Sequence, residues 1–418
     1  MATKLGATLI EVGGRKALQF ENASVRAIIE TRGGMVPEFS LKRPEVALNA
    51  HWIPTWRPRR VEPWSIEKHG PFYKGELLYH IAGDFPCSPN FGPDCLVEGI
   101  AHPAHGWTAQ REWRIEGSGV EGPIAWARFS LPSPDPSLPL VHEKLDLMIE
   151  GHPAIYSMLT IRNGGARPVS VNVGRHTTLG APFLEKGCRI SLPAERFLAA
   201  PNGTEFDGTG RLLGGAEFGS LARAPLRSGG TVDISRVPGL IGFTDLVTGA
   251  IPSKLSLGWS CVVNPALRLA YVCFFPGSDG LPQGEIALSF NDLWMQYGGR
   301  RFTPWAETEG GTDRSFCLGT ENVTGAFANG LAYARANPSL LGNPTLVEIP
   351  PGGERRLCYG NAFLPLDSGM GQALVAEGIE GAEVGEGGAL VLKGRRRAEN
   401  FPMSADFAAL RRFASEGR

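Results

Sequence analysis

The 418-residue chain contains no apolar run long enough to span a bilayer, and its first residues, Met1-Ala2-Thr3-Lys4-Leu5, lack the apolar stretch of a secretory signal. It also carries almost no net charge: 41 Lys and Arg against 42 Asp and Glu leave −1. Such a balance supplies no field to draw nucleic acid or an anionic membrane surface, so neither is expected as a partner. Cysteine is sparse and odd in number. The seven (Cys87, Cys95, Cys188, Cys261, Cys273, Cys317 and Cys358) include no CxxC pair, and four lie in apolar runs such as Tyr271-Val272-Cys273-Phe274-Phe275. Buried free thiols in a reducing compartment follow, and with them a cytoplasmic location. No P-loop, zincin motif or nucleophile elbow occurs. His102-Pro103-Ala104-His105 sets two histidines three apart, but no further ligands stand at zinc spacing, so no metal is expected.

Glycine (55) and proline (33) are plentiful, about one residue in five, which fits many short strands joined by many turns. Period-two alternation dominates: Val25, Ala27 and Ile29; Leu145, Leu147 and Ile149; Val169, Val171 and Val173; Ile286, Leu288 and Phe290. Turn signals recur at Gly33-Gly34, Asn163-Gly164-Gly165, Asn202-Gly203, Asp207-Gly208 and Pro351-Gly352-Gly353. Half-buried strands at short intervals, without long helical stretches between them, predict an all-β, mostly antiparallel sandwich. Two helices are expected, Gly325 to Ala336 and Ser404 to Ala414. In the second, Ser404 would cap while Phe407, Leu410 and Phe413 share a face. The character changes near residue 366, so residues 1–365 read as the main unit and 366–418 as an extension packed on it. Its basic run Lys393-Gly394-Arg395-Arg396-Arg397 reads as a solvated turn.

Gly117-Ser118-Gly119-Val120-Glu121-Gly122 matches GxGxxG, but Pro123 follows and no helix does, so a hairpin turn is expected there and not a dinucleotide site. Three other segments hold residues suited to proton transfer. In the first, Ser88-Pro89-Asn90 precedes His105-Gly106-Trp107, a proline-stiffened loop whose His-Gly pair would let backbone approach a ligand. In the second, Asn172-Val173-Gly174-Arg175-His176, a regular strand puts His176 on the face of Ser170 and Asn172, away from the valines. In the third, Phe316-Cys317-Leu318-Gly319-Thr320-Glu321, a carboxylate ends an apolar strand, where partial desolvation would raise its pKa towards that of a general base. Glu307, Glu309 and Asp313 compete with it from a Gly310-Gly311 loop. The alternative for each is a satisfied polar group: His105 bonded within its own loop, His176 an ordinary surface histidine. Tryptophans such as Trp52, Trp56, Trp107, Trp294 and Trp305 suit stacking on sugar C–H faces, although most tryptophans serve the core.

Taken in order, these segments resemble the aldose 1-epimerase (galactose mutarotase-like) superfamily. The strand Leu18-Gln19-Phe20-Glu21-Asn22 through Gly33-Gly34 resembles its first hairpin. His105-Gly106-Trp107 with Arg111 and Trp113 is similar to its His-Gly element. Arg175-His176 with Pro182-Phe183-Leu184 resembles its second histidine strand, and Leu318-Gly319-Thr320-Glu321 its glutamate strand. The resemblance implies a large antiparallel β-supersandwich with the site on one sheet face, acting on a small-molecule sugar without a cofactor, since only protons move. It implies Glu321 as base at the anomeric hydroxyl, His176 as acid at the ring oxygen and His105 as binder of a hydroxyl or the developing carbonyl. Asn90, Trp107, Arg111, Arg175 and Trp305 are the substrate-binding candidates. The family's arginine before the His-Gly element has no match beyond Ser88-Pro89-Asn90, with Arg111 or Arg175 as substitutes. Its sugar-binding aspartate has only Asp207 and Asp245 as candidates. Three functions therefore stand side by side: an anomer-interconverting isomerase, a non-catalytic sugar-binding protein on the same scaffold, and a glycoside hydrolase or lyase. The last needs a second carboxylate across from Glu321.

Overall fold

A computed structural model describes residues 5–43, 47–201 and 210–416. The turns at Asn202-Gly203 and Asp207-Gly208, and Asp207 itself, lie outside them. Strands dominate and pair antiparallel throughout the large sheets, with a few short helices. A five-stranded meander, from Gly6–Val12 to Ala47–Asn49, opens the chain. An eight-stranded sheet follows the order Arg189–Ser191, Leu257–Asn264, Leu269–Pro276, Glu354–Pro365, Ala154–Asn163, Leu140–Ile149, Ile124–Pro132, Arg114–Glu121. A seven-stranded sheet follows the order Glu217–Phe218, Phe197–Ala199, Phe243–Ala250, Phe290–Tyr297, Phe316–Thr324, Val173–Leu179, Asp84–Cys87.

Alternation sorts each strand of the seven-stranded sheet into two faces. Val173 and Leu179, Leu318, and Leu293, Met295 and Tyr297 enter the main core. Phe85 and Cys87, Cys317 and Val323, and Phe290 and Trp294 point the other way, into a separate cluster with Trp52, Trp56 and Trp305. One sheet thus seals the core and offers its opposite face to a site. Ile286 and Leu288 enter the main core, whereas Phe290 faces away from it, because the ladder begins only at Phe290.

The segment from Leu366 onward covers the outer face of the eight-stranded sheet. It contributes a helix (Gly369–Glu377), a three-stranded sheet and a last helix (Ala408–Glu416). Phe407, Leu410 and Phe413 are buried there with Tyr156 and Phe274 of the sheet. The last helix starts later than expected: Asp406 Oδ1, not Ser404, accepts the Ala408 N–H at 3.0 Å, and Ser404 Oγ donates to Asp406 at 2.9 Å. The basic run is an exposed turn, with Lys393 paired to Glu383 and Arg396 near Glu377. Of the expected 325–336 helix only Gly330–Ala336 forms, because Phe327 and Ala328 take positive φ and break it. Gly117 and Gly119 lie within the strand Arg114–Glu121 beneath Trp126, and the turn itself falls at Gly122. Among the described residues no helix is long and apolar enough to cross a membrane.

Candidate active site

Cross-strand register lines up one row of side chains on the free face of the seven-stranded sheet. Thr248 stands opposite Asp292, and Asp292 opposite Glu321. On the next strand Arg175 pairs with Asn322 and Thr178 with Gly319, which brings His176 beside Glu321. His176 in turn stands opposite Phe85. Glu321 lies inside its strand, which runs on to Thr324, and is 2 % exposed rather than emerging at a strand end.

His176 Nε2 is 3.3 Å from Glu321 Oε1. A nitrogen lone pair aimed at a carboxylate would repel it, so Nε2 carries the hydrogen and donates. Nδ1 of the neutral ring is then an acceptor, and Thr178 Oγ1 donates to it at 3.1 Å. Phe85 stacks on the imidazole at 4.6 Å, and the rings of His105 and Trp294 meet it edge-on at 4.8 and 5.8 Å. This enclosure explains its charge state: burial pushes the His176 pKa down to about 3, even with Glu321 adjacent.

His105 comes from a loop. It adopts left-handed backbone (φ 57°) just before the short helix Gly106–Gln110, and its N–H bonds Gly92 O at 2.8 Å. Burial, then the nearby His176, holds its pKa well below the ordinary value. Cys87 Sγ lies 3.7 Å from His105 Nδ1. Burial pushes that thiol far up, so it stays protonated; where it donates to Nδ1 rather than to Phe85 O, the neutral ring carries its single N–H at Nε2. Gly106 packs against Ser88 and Pro89 backbone, not against ligand space.

His105, His176 and Glu321 line one cavity of about 360 Å³. Leu246, Trp294 and Trp305 form apolar wall, and Lys74, Glu76 and Asp94 also border it. Trp305 stacks parallel to Trp52 at 6.2 Å and is backed by the Arg300 guanidinium, 4.2 Å from its ring centre. The indole nitrogens of Trp294 and Trp305 are buried donors without a protein partner. Gly319 makes room for the base: a methyl there would overlap Glu321 Oε1 and lie 2.9 Å from Trp294 Cβ.

The other sequence candidates are placed elsewhere. Asn90 is fully buried and staples its loop, donating to Pro93 O (2.8 Å) and Pro103 O (3.0 Å) and accepting from Leu331 N–H (2.7 Å). Trp107 belongs to the main core and stacks on His102. Arg111 is exposed and does not line the cavity. Arg175 shares the opposite parity from His176, so it points between the sheets, where it pairs with Asp84. Burial works against its charge, but that carboxylate holds its pKa above the ordinary value. Asp245 is likewise engaged away from the cavity, by Arg211 Nε at 2.8 Å and Leu212 N–H at 3.0 Å. Glu307 and Glu309 stay on an exposed loop, and Asp313 accepts from Gln296 Nε2 at 2.9 Å. Lys74 is the one Lys or Arg among the cavity-lining residues described. Sequence reasoning missed Asp292, Leu246 and the packing roles of Gly319 and Cys87. Alternation from Trp294 back to Asp292 was the available signal.

No protein-family description matches the chain, and no curated protein matches it either. Solved structures do match. A Klebsiella pneumoniae protein provisionally named an aldose 1-epimerase is 14% identical, with 89% of this chain and 85% of that chain covered at a TM-score of 0.61. A galactose mutarotase-like protein from Clostridium acetobutylicum is 11% identical over 86% of this chain and 99% of that one, TM-score 0.56. A Salmonella typhimurium protein provisionally named a mutarotase is 11% identical over 86% and 94%, TM-score 0.53. At such identities the likeness concerns the fold. The chain has the galactose mutarotase-like β-sandwich fold, in strongly diverged sequence.

Proposed function

We propose that the protein interconverts the anomers of a free aldose or aldose derivative by general acid/base ring opening. One observation carries the reading: His176 and Glu321 meet at 3.3 Å on the floor of an aromatic-walled cavity, with His105 beside them. Glu321 takes the proton of the anomeric hydroxyl. The bond from C1 to the ring oxygen breaks, a carbonyl forms at C1, and the ring oxygen keeps the electron pair and takes a hydrogen from His176 Nε2. Glu321 stands close enough to His176 to return the proton, so the cycle closes with no net proton consumed. His105 Nε2–H supports the carbonyl oxygen while the C1–C2 bond rotates, and reclosure on the other face gives the second anomer. A buried neutral imidazole is too weak an acid to release its N–H outright, so transfer to the ring oxygen runs together with return of the proton from Glu321, and no imidazolate is left. Trp294 and Trp305 supply the apolar faces that sugars stack on.

Lys74 as the lone Lys or Arg along the described cavity favours an unphosphorylated sugar, since phosphate recognition recruits arginine forks. The same lack of a cavity arginine favours the second reading, a sugar-binding protein without turnover. Seven free thiols, six of them buried, support a reducing compartment such as the cytoplasm. Anomer exchange by NMR saturation transfer across a panel of aldoses tests the proposal. Wild type accelerates exchange and Glu321→Gln abolishes it. Line-broadening of a sugar without accelerated exchange overturns catalysis in favour of binding.

A further inference from the structure

The register that pairs Glu321 with Asp292 sets two carboxyl groups side by side on one face of the sheet. Directly opposed residues hold their Cβ atoms about 4.5–5.5 Å apart. Asp292 is 1 % exposed and is not among the residues lining the cavity. Both of its oxygens are buried without a hydrogen-bond partner. Phe290 and Trp294 flank it on its own strand. Thr248 faces it from one adjacent strand, near enough for its hydroxyl to favour the ionised carboxyl, and Glu321 from the other, with His176 one strand further. Arg300 packs on the rings of Trp294 and Trp305.

Beyond the Thr248 hydroxyl, an ionised carboxylate in such a place lacks the hydrogen bonds that make burial of a charge tolerable. A second one beside it adds like-charge repulsion, and neighbouring carboxyls answer that by sharing a proton. We propose that Asp292 and Glu321 hold one proton between them in the resting protein, carried by Asp292, which makes Asp292 a positioning residue for the base. Burial pushes the Asp292 carboxyl in that direction, up to about 7, against a smaller pull from the Thr248 hydroxyl. The inference rests on the reading of Glu321 as the base. A neutral neighbour leaves Glu321 as the one anion of the row, in contact with the His176 N–H. Asp292 stands beside Glu321 in the same sheet rather than across the cavity, so it does not furnish the opposed carboxyl pair of a glycosidase.

Infrared spectroscopy of wild type and Asp292→Asn tests the shared proton without any sugar. At about pH 6 wild type shows an un-ionised carboxylic acid that bleaches as pH rises through neutrality with the fold intact, and Asp292→Asn lacks it. Stability gives a second readout. A carboxyl raised in the folded state contributes stability below its unfolded pKa of about 4, which is lost as pH rises through its folded pKa. Asp292→Asn therefore gains in Tm relative to wild type as pH goes from about 4 to about 8. Should the variant not be recovered, the wild-type titration alone decides. No acid signal at about pH 6, a signal that persists in Asp292→Asn, or a Tm difference that ignores pH overturns the proposal. None of these readouts uses turnover, so they fail separately from the epimerase reading. If exchange is measurable, the wild-type pH–rate profile carries an inflection that Asp292→Asn lacks.

Discussion

Gly319→Ala puts the arrangement of the base to a direct test. Gly319 sits two residues before Glu321 on the same strand face, and its missing side chain is the notch into which the carboxylate folds. An added methyl would overlap Glu321 Oε1 and approach Trp294 Cβ to 2.9 Å. The carboxylate is the movable party, being the end of a flexible side chain. Its movement breaks the 3.3 Å contact with His176 Nε2. Forcing one carbon into packed space costs about 1–3 kcal/mol of stability, while a displacement of about 1 Å at a reacting group costs on the order of 100-fold in rate. The variant should stay folded and lose about two orders of magnitude in anomer exchange, measured by NMR saturation transfer beside a urea titration. Gly369→Ala is the control. It has open space at its Cβ and lies at the start of the helix Gly369–Glu377, so it should keep exchange and gain up to about 1 kcal/mol. Wild-type exchange in a folded Gly319→Ala would refute the geometry argued for Glu321. A loss of stability too large for folding would refute the view that the carboxylate yields.

Arg175→Ala strands Asp84 between the sheets and should cost about 3–5 kcal/mol in chemical denaturation; retained stability with weakened sugar binding would reinstate Arg175 as a ligand. Burial holds both His142 and His176 at about 3 in the folded protein, against 6.5 ordinarily. A depressed folded pKa means that the unfolded chain binds more protons between those values, so stability is lost as pH falls from about 6.5 towards 3. His142→Asn should flatten the slope of stability against pH in that window, and an unchanged slope would count against a buried neutral His142. Leu410→Ala in the last helix should cost about 2–5 kcal/mol by urea titration, whereas Arg395→Ala on its exposed turn should stay within about 0.5 kcal/mol. Equal effects would mean that the C-terminal segment is not a cover over the sheet.

Much of the architecture was legible because it rests on period two. The valines beside Asn172 announce which face enters the core, so His176 could be assigned to the opposite face from the sequence, whereas Glu321 reads there as a strand end and is placed inside its strand only by the fold. The same rule excludes Arg175 from the cavity, since it alternates with His176, and only the family likeness kept it a candidate. Asn90 and Trp107 sit in non-repetitive backbone, where no period tells inside from outside. Their bonds to Pro93, Pro103 and the main core come from folding of the loop on itself. The 325–336 helix was shortened by positive φ at Phe327 and Ala328, residues that do not advertise it.

What the chain alone decides is therefore local and periodic: strands, their buried faces, the segments that bear proton-transfer groups and the absence of charge for a polyanionic partner. Which of those groups meet is decided by register between strands and by loop closure. His176 and Glu321 are 145 positions apart in the chain, and Asp292 joins them only because two hairpin-paired strands slide into one particular alignment. A one-residue slip would turn every side chain of a strand to the other face. That choice is made by the packing of both sheets at once, and no stretch of sequence contains it.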